Sequence, residues 1–236
     1  MDHLLLGAIG AGRDHYVGVS GARERWWRRV RANVPWRAAP FIELVNASRE
    51  GMPDFLGADV PTGRRRLGDE LDHIVAVCDD RVRGDLARYD DMPQVPGIVQ
   101  ELRDEGGRGL RRVADAAWAL HRACLAPDWH DMERVIQADT QRRARTMAEQ
   151  GVGRMLDTLH PRLAWHDRGV LEYAEPSGFD EGVWSVPLEG RGLELRPCLF
   201  LQDGVGFLLQ DGRRPALFYP VAPDFHQDRP SPAADA

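Results

Sequence analysis

One short stretch of the sequence concentrates the residue types that carry chemistry. From His121 to Asp139 the chain reads HRACLAPDWHDMERVIQAD, with two histidines, one cysteine and four carboxylates within nineteen positions. Such groups bind zinc or transfer protons, but zinc would need His121, Cys124 and His130 to meet at ligand distance. Helical spacing disfavours this, because the first two fall on the apolar side of one helix and His130 on the polar side of the next. The sequence therefore predicts no metal here, and it indicates no cofactor.

Two predicted helices meet within this stretch. The apolar periodicity predicts one helix from about Leu110 to Leu125 and a second from about Trp129 to Gln150. Pro127 separates them, because proline cannot continue a helix from its interior. Asp128 is expected to cap the start of the second helix.

Two interpretations stay open for His121, which faces the apolar side of the first helix. It is either a core histidine with satisfied hydrogen bonds, or a polar group in a ligand pocket that Trp118 and Trp129 also line. Large aromatic side chains beside a few polar groups are typical of ligand sites.

A charged pair lies on the apolar face of the second helix. Asp139 and Arg143 are one helical turn apart, and a charge on such a face is costly unless it is paired. The two residues form an internal pair at the rim of the core, or they supply a charge to a pocket or a dimer seam. The predicted ligand-binding residues are therefore Trp118, His121, Trp129, Asp139 and Arg143, and no catalytic residue is assigned.

Several chemistries are excluded by what the sequence lacks. All 31 basic residues are arginine, so no P-loop lysine, Schiff-base lysine or lysine base exists. Neither GxSxG nor GxGxxG occurs, and the serines stand in no recognisable nucleophile context. Acidic pairs such as Asp79-Asp80 are typical of solvated helix ends.

Composition and charge indicate an ordinary globular protein. The chain has 236 residues, 43% of them hydrophobic, and a formal net charge of -6, which counts against direct nucleic-acid contact. Its three cysteines are far apart and include no CxxC, a pattern that favours a reducing compartment. No signal peptide and no apolar run of membrane-spanning length are visible. We therefore expect a cytoplasmic protein that makes no membrane contact.

The elements before the stretch are predicted to be helical. A helix is expected within residues 21–35, with Pro35 at its end, and its arginine face is either solvated or a patch for an anionic partner. A continuous apolar stripe predicts a long helix from Leu67 to Arg88, and a shorter helix is expected near Ile98 to Asp104.

Strand-like runs follow residue 160. Asp203-Gly204 and Asp211-Gly212 each separate two apolar runs, a strong hairpin signal. We therefore predict an α+β fold, with a mainly helical N-terminal two thirds followed by a small antiparallel β-sheet of hairpins. Residues 1–221 are predicted to form a single domain, and the polar, Pro/Ala-rich residues 222–236 a disordered tail.

Six segments of the chain, taken in order, resemble a known family. GARERWWRRVRANVP, MPDFL, AWALHRACLAPDW, QADTQRRARTMAEQGVGRMLDTLHPRLAW, GRGLELRPCLF and PALFYPV are together similar to the N-terminal domain of a group of actinobacterial ArsR-type transcriptional regulators. The similarity extends from about Gly21 to Val221. It implies a sensory domain that forms a homodimer and binds a small-molecule effector or a partner protein.

The chain departs from that family after FYPVAP. In the family a winged helix that reads DNA follows this domain, and it needs on the order of 60 residues, a small-domain length. We expect no such unit here, and so no direct nucleic-acid contact by this chain. The alternative is a stand-alone enzyme or accessory protein of secondary metabolism that uses the domain as a ligand or reaction pocket, with His121 as the acid/base candidate. The resemblance favours binding over catalysis.

Overall fold

The fold was examined in a computed structural model of the chain. It describes residues 22–47, 53–57, 66–77, 79–90, 92, 94–166, 169–174, 185–201, 204–209 and 214–221. Helices fill most of the described part of the first two thirds, and small sheets follow, which confirms the predicted α+β class. The chain divides into two compact units, Met1–His130 with His226–Ala236, and Asp131–Phe225. The single domain of residues 1–221 stays a prediction, and the predicted tail lies outside the described residues.

The first unit is helical in the part that the structure describes. The α-helices are α1 (Ala22–Asn33), α2 (Ala39–Asn46), α3 (Leu67–Val75), α4 (Asp79–Leu86), α5 (Gly97–Glu105) and α6 (Gly107–Leu120). Short 3-10 turns lie at Trp36–Ala38, Asp54–Leu56 and Ala87–Tyr89. Helix α6 is the central element, because it packs against α2, α3, α5 and the turn at Trp36–Ala38.

Aromatic side chains fill the core of this unit. Phe41, Phe55 and Tyr89 are fully buried. The Tyr89 hydroxyl donates a hydrogen bond to the carbonyl oxygen of Leu44 at 3.3 Å, so this buried polar group is satisfied. The backbone N–H of Phe55 donates to the Asp85 carboxylate at 2.5 Å, which fastens the predicted loop around Phe55 to α4.

The long helix predicted from Leu67 to Arg88 is wrong, because two shorter helices occupy this range. α3 ends at Val75 and α4 begins at Asp79. The β-branched residues at the end of α3 have low helix propensity, whereas paired aspartates favour the beginning of a new helix. Cys78, which the sequence placed on the apolar stripe, lies outside the described residues.

One long helix leads into the second unit. α7 (Trp129–Asp157) has its first two residues in the first unit. Gly151 interrupts it with φ 88° and ψ 165°, a conformation that disfavours any residue with a Cβ. The helix end predicted at Gln150 is therefore a kink, and the helical turns that follow it were not predicted.

In the part of the second unit that the structure describes, five short strands form two sheets. They are β1 (Leu163–His166), β2 (Val170–Tyr173), β3 (Glu194–Cys198), β4 (Gly206–Leu208) and β5 (Ala216–Pro220). β1 and β2 form an antiparallel pair, with Leu163 opposite Tyr173. β5 lies between β3 and β4, antiparallel to β4 and parallel to β3.

This strand order confirms one predicted hairpin and contradicts the other. The runs on either side of Asp211-Gly212 pair as β4 and β5. The runs on either side of Asp203-Gly204 do not pair, because β5 separates them. Residues Ala216 to Tyr219 are all buried, so β5 is apolar on both faces and is stable only between two neighbours.

The second unit has its own apolar core. Residues from the end of α7, from β1 and from β5 form it, namely Met155, Leu156, Leu159, Leu163, Leu217 and Tyr219. Among the described residues, no helix combines the length and apolarity needed to cross a bilayer.

Candidate functional site

A turn of π-helix follows α6 at the position of the predicted site. The chain continues from Leu120 into the π-turn His121–Leu125 and then into a 3-10 turn, Ala126–Asp128. A π-turn places one more residue in the turn than an α-helix does and redirects the side chains that follow. Such turns are frequent at functional sites. Pro127 lies within this 3-10 turn, and because it has no N–H to donate, the α-helical hydrogen bonds of α6 do not continue through it.

Three of the five predicted ligand-binding residues meet at the π-turn. The rings of Trp118 and His121 are stacked, with 5.7 Å between centroids and 21° between planes. The rings of His121 and Trp129 meet edge to face, with 5.9 Å between centroids and 63° between planes. Trp118 is 43% exposed, whereas His121 and Trp129 are half-buried. We call these three residues the aromatic stack.

His121 is not the satisfied core histidine of the first interpretation. Its Nδ1 atom is buried and has no hydrogen-bond partner in the described part of the chain. Burial also lowers the pKa of His121 below its usual value, which favours the neutral imidazole at neutral pH. A buried polar atom without a partner costs free energy, so its retention is a reason to look for a ligand here.

Helix α1 holds the π-turn and the 3-10 turn after it through two side-chain contacts. The Cys124 thiol donates to the carbonyl oxygen of Val30 at 3.8 Å, and the Asp128 carboxylate accepts from the Arg29 guanidinium. Asp128, predicted as a helix cap, lies at the end of the 3-10 turn and forms this ion pair. Among the described residues, no three His, Cys, Asp or Glu side chains are placed to hold a metal ion.

The buried Cys124 thiol should make the protein less stable as the pH rises into the alkaline range. Burial raises its pKa from 9.0 to about 11, so the unfolded chain loses this proton first as the pH rises. Stability from this group is complete below pH 9.0 and is lost as the pH rises through about 11. Over that range we expect the free energy of unfolding to fall by up to about 3 kcal/mol, measured by urea titration.

A Cys124→Ala variant isolates this contribution. Burial also raises the pKa of Tyr219, so this residue too makes the chain less stable as the pH rises. The Cys124→Ala variant keeps Tyr219 and therefore keeps this second loss of stability. The variant should therefore lose less stability than the parent chain across the same range of pH. Identical pH profiles for the two proteins would contradict the assigned role of Cys124.

The other two predicted residues lie in the second unit and pair with each other. Arg143 Nε donates to Asp139 Oδ2 at 2.8 Å, and both residues are buried. Arg143 Nη1 also donates to the Thr158 carbonyl oxygen at 2.9 Å and to its hydroxyl at 3.2 Å. The Arg143 guanidinium carbon lies 4.6 Å from the centre of the Tyr219 ring. These contacts are those of an internal pair, and a ligand role for Asp139 and Arg143 stays a prediction.

Sequence reasoning missed a cleft at the end of α1. It has a volume of about 590 Å³ and is lined by Arg31, Val34, Pro35, Trp36, Ala39, Ile42 and Glu43. The Trp36 side chain is 81% exposed at its rim. The available signal was a tryptophan directly after Pro35, where the chain leaves a helix.

Comparison with known proteins gives one partial similarity. No family model matches the chain, and no solved structure matches it. A curated protein from Pseudomonas aeruginosa, named "Salicylate biosynthesis isochorismate synthase", is 28% identical to this chain over 202 residues. The match covers 74% of this chain and 41% of that protein, so the chain spans less than half of the relative's length.

This similarity corrects the predicted function. The interpretation as a sensory and dimerising domain of an ArsR-type regulator is wrong, because the matching protein is named as a biosynthetic enzyme. The finding favours the alternative, an enzyme or accessory protein that uses the domain as a ligand or reaction pocket. The resemblance to the regulators' N-terminal domain itself stays a prediction, and the chain is similar to the isochorismate synthase over the matched part.

Proposed function

We propose that this chain is part of an enzyme, or an accessory protein of an enzyme, that binds a small cyclic carboxylate related to isochorismate. The aromatic stack lines its site. Trp118 and Trp129 contact the ring of the ligand, and His121 exchanges a hydrogen bond with a hydroxyl or carboxylate group. We also propose a cytoplasmic location and a homodimer, on the widely spaced cysteines and on the family resemblance, respectively.

The observation that carries the proposal is the state of His121 within the stack. The imidazole of His121, on a π-turn, contacts two indole rings, and its buried Nδ1 has no hydrogen-bond partner among the residues that the structure describes. Neutral imidazole can accept a proton near neutral pH, which suits general base work, and it can both donate and accept hydrogen bonds. The exposed Trp118 offers an apolar face for a ring-shaped ligand.

The similarity to an isochorismate synthase supplies the ligand class. Its name specifies a cyclic carboxylate, and an apolar ring with polar substituents matches two indoles and one imidazole. Whether the matched region of this chain performs chemistry or only binds is decided by assay, because the chain spans less than half of the relative.

Isochorismate binding by the full chain tests the proposal. Calorimetric titration should give saturable binding, and Trp118→Ala should weaken it about tenfold, the size of one lost aromatic contact. His121→Gln keeps a polar side chain of similar reach, and it should also weaken binding. Isochorismate formation and consumption, followed by chromatography in the same samples, distinguish an enzyme from a binding protein.

Trp36→Ala is the matched control, because it removes an exposed tryptophan outside the aromatic stack. It should leave isochorismate affinity unchanged. Equal affinity in the Trp118 and His121 variants would reject the stack as the site. An absence of both binding and turnover in the parent chain would reject the function.

A further inference from the structure

One exposed face of α6 and its π-turn passes through the aromatic stack. Arg111, Asp115, Trp118 and Arg122 follow one another at intervals of three or four residues, so they share one side of the helix. All four are exposed, whereas the buried core positions of α6 lie on its other side. The charges that a ligand meets beside the Trp118 ring are therefore those of this face.

Arg122 has an uncommitted guanidinium. Among the residues that the structure describes, no carboxylate forms an ion pair with it, and no acceptor forms a hydrogen bond with it. Arg122 follows Trp118 by four residues, which is about 6 Å along the helix axis. It is the second residue of the π-turn and is itself exposed, so it stays on the Trp118 side of the helix. A guanidinium beside an exposed indole is available to bind a ligand anion.

The Trp118 ring is supported by its neighbour. It stacks on the His121 ring, with 5.7 Å between centroids and 21° between planes, and His121 in turn contacts Trp129. Trp118 nevertheless remains 43% exposed. An aromatic ring that is supported on one side and open to solvent loses little freedom when a planar ligand contacts it.

The carboxylate of Asp115 gives this face a direction. Asp115 precedes Trp118 by three residues and Arg122 by seven, the latter about 10 Å along the helix axis. It repels an anion on its own side of the indole, whereas Arg122 attracts one on the other side. Asp128, which follows the π-turn, is ion-paired with Arg29, so that pair adds no net charge. A bound anion is therefore favoured at the Arg122 end of the Trp118 ring.

We propose that Arg122 binds the carboxylate of the ligand and makes the aromatic stack selective for anions. This inference rests on the function proposed for the stack. The ring of the ligand lies on the exposed side of Trp118, its carboxylate pairs with the Arg122 guanidinium, and a ring hydroxyl is left for His121. Neutral cyclic compounds of the same shape bind more weakly, because they gain the ring contact without the charged pair.

Salicylate and salicylamide test the preference for anions as a matched pair of probes. The two molecules share a ring and a hydroxyl group, but only salicylate carries a negative charge at neutral pH. Calorimetric titration of the full chain should show salicylate binding about tenfold or more tighter than salicylamide, as expected for one charged contact.

Two arginine substitutions locate the contact. Arg122→Gln should remove the difference between the two probes by weakening salicylate alone, and it should weaken isochorismate about tenfold. Arg111→Gln is the matched control, because it removes the same charge from the same exposed face about 16 Å away. At physiological ionic strength it should change each affinity less than about twofold. Both variants should unfold at the same urea concentration as the parent chain, since both side chains are exposed.

The outcomes separate this proposal from the proposed function. Isochorismate binding that is equally tight in the parent chain and in Arg122→Gln would overturn the role of Arg122 and leave the proposed function intact. Equal losses in the Arg122 and Arg111 variants, or a lower unfolding midpoint for Arg122→Gln, would also overturn that role. Salicylate binding that depends on Arg122, without isochorismate binding, would support the role and reject isochorismate as the ligand. If the parent chain bound neither carboxylate, both proposals would be rejected.

Discussion

Arg143→Ala should lower the free energy of unfolding by about 3 kcal/mol, because it leaves a buried carboxylate without its main partner. Asp139 is only 3% exposed, and Arg143 is 9% exposed. The substitution also removes the donor to Thr158 and the guanidinium that lies over the Tyr219 ring. Urea unfolding followed by circular dichroism at neutral pH measures the loss.

Arg142→Ala is the control for this prediction. Arg142 also pairs with Asp139, but its side chain is 58% exposed, so solvent screens the interaction. We expect a cost below about 1 kcal/mol for this variant. Equal losses for the two variants would show that the buried pair contributes no more than a surface ion pair. A stable Arg143→Ala protein that lost ligand binding would instead support the pocket interpretation.

The network around Arg143 shows where sequence reasoning stopped. The spacing of Asp139 and Arg143 on an apolar face predicted a paired charge, and the structure contains that pair. Thr158 and Tyr219 could not be predicted, because they approach Arg143 from 15 and 76 positions further along the chain. Helical periodicity describes neighbours on one helix, but it carries no information about contacts between distant segments.

The same limit applies to the elements themselves. Periodicity located the helices and the strand-like runs, because burial of one face imposes it on the local sequence. It did not locate the break between α3 and α4, since the apolar stripe continues on both sides of the break. Periodicity also did not predict the strand order β3-β5-β4. The strand that is apolar on both faces takes the central position, and an alternating pattern does not identify that strand.

The candidate site was predictable in its residue types but not in its geometry. Residues 118, 121 and 129 were grouped because large aromatic side chains beside a few polar groups are typical of ligand sites, and they do meet. The π-turn at this position has no recognised sequence signal, and the lack of a hydrogen-bond partner for His121 Nδ1 among the described residues follows from packing. The correction of function from regulator to enzyme-related protein came from similarity to a known protein, since fold does not determine chemistry.

Gly153→Ala should destabilise the second unit by about 2 kcal/mol, the cost of overpacking a filled site. A Cβ at this position would overlap Trp165 Cδ1 and would lie 2.6 Å from its Nε1. The indole cannot simply move away, because its ring packs against the core of the unit. The backbone N–H of Trp165 also donates to the Asp157 carboxylate at 2.6 Å, which fixes β1 to the end of α7.

Gly84→Ala is the same chemical change, but it should raise the free energy of unfolding. Gly84 lies in α4, and nothing would come within 4 Å of an added Cβ. Because alanine has less backbone freedom to lose on folding, this variant should gain about 0.5–1 kcal/mol. Urea unfolding of both variants, with near-UV circular dichroism to report Trp165, distinguishes a steric effect from a general tolerance of alanine. If Gly153→Ala matched Gly84→Ala in stability and left the tryptophan signal unchanged, the close contact between α7 and β1 would be refuted.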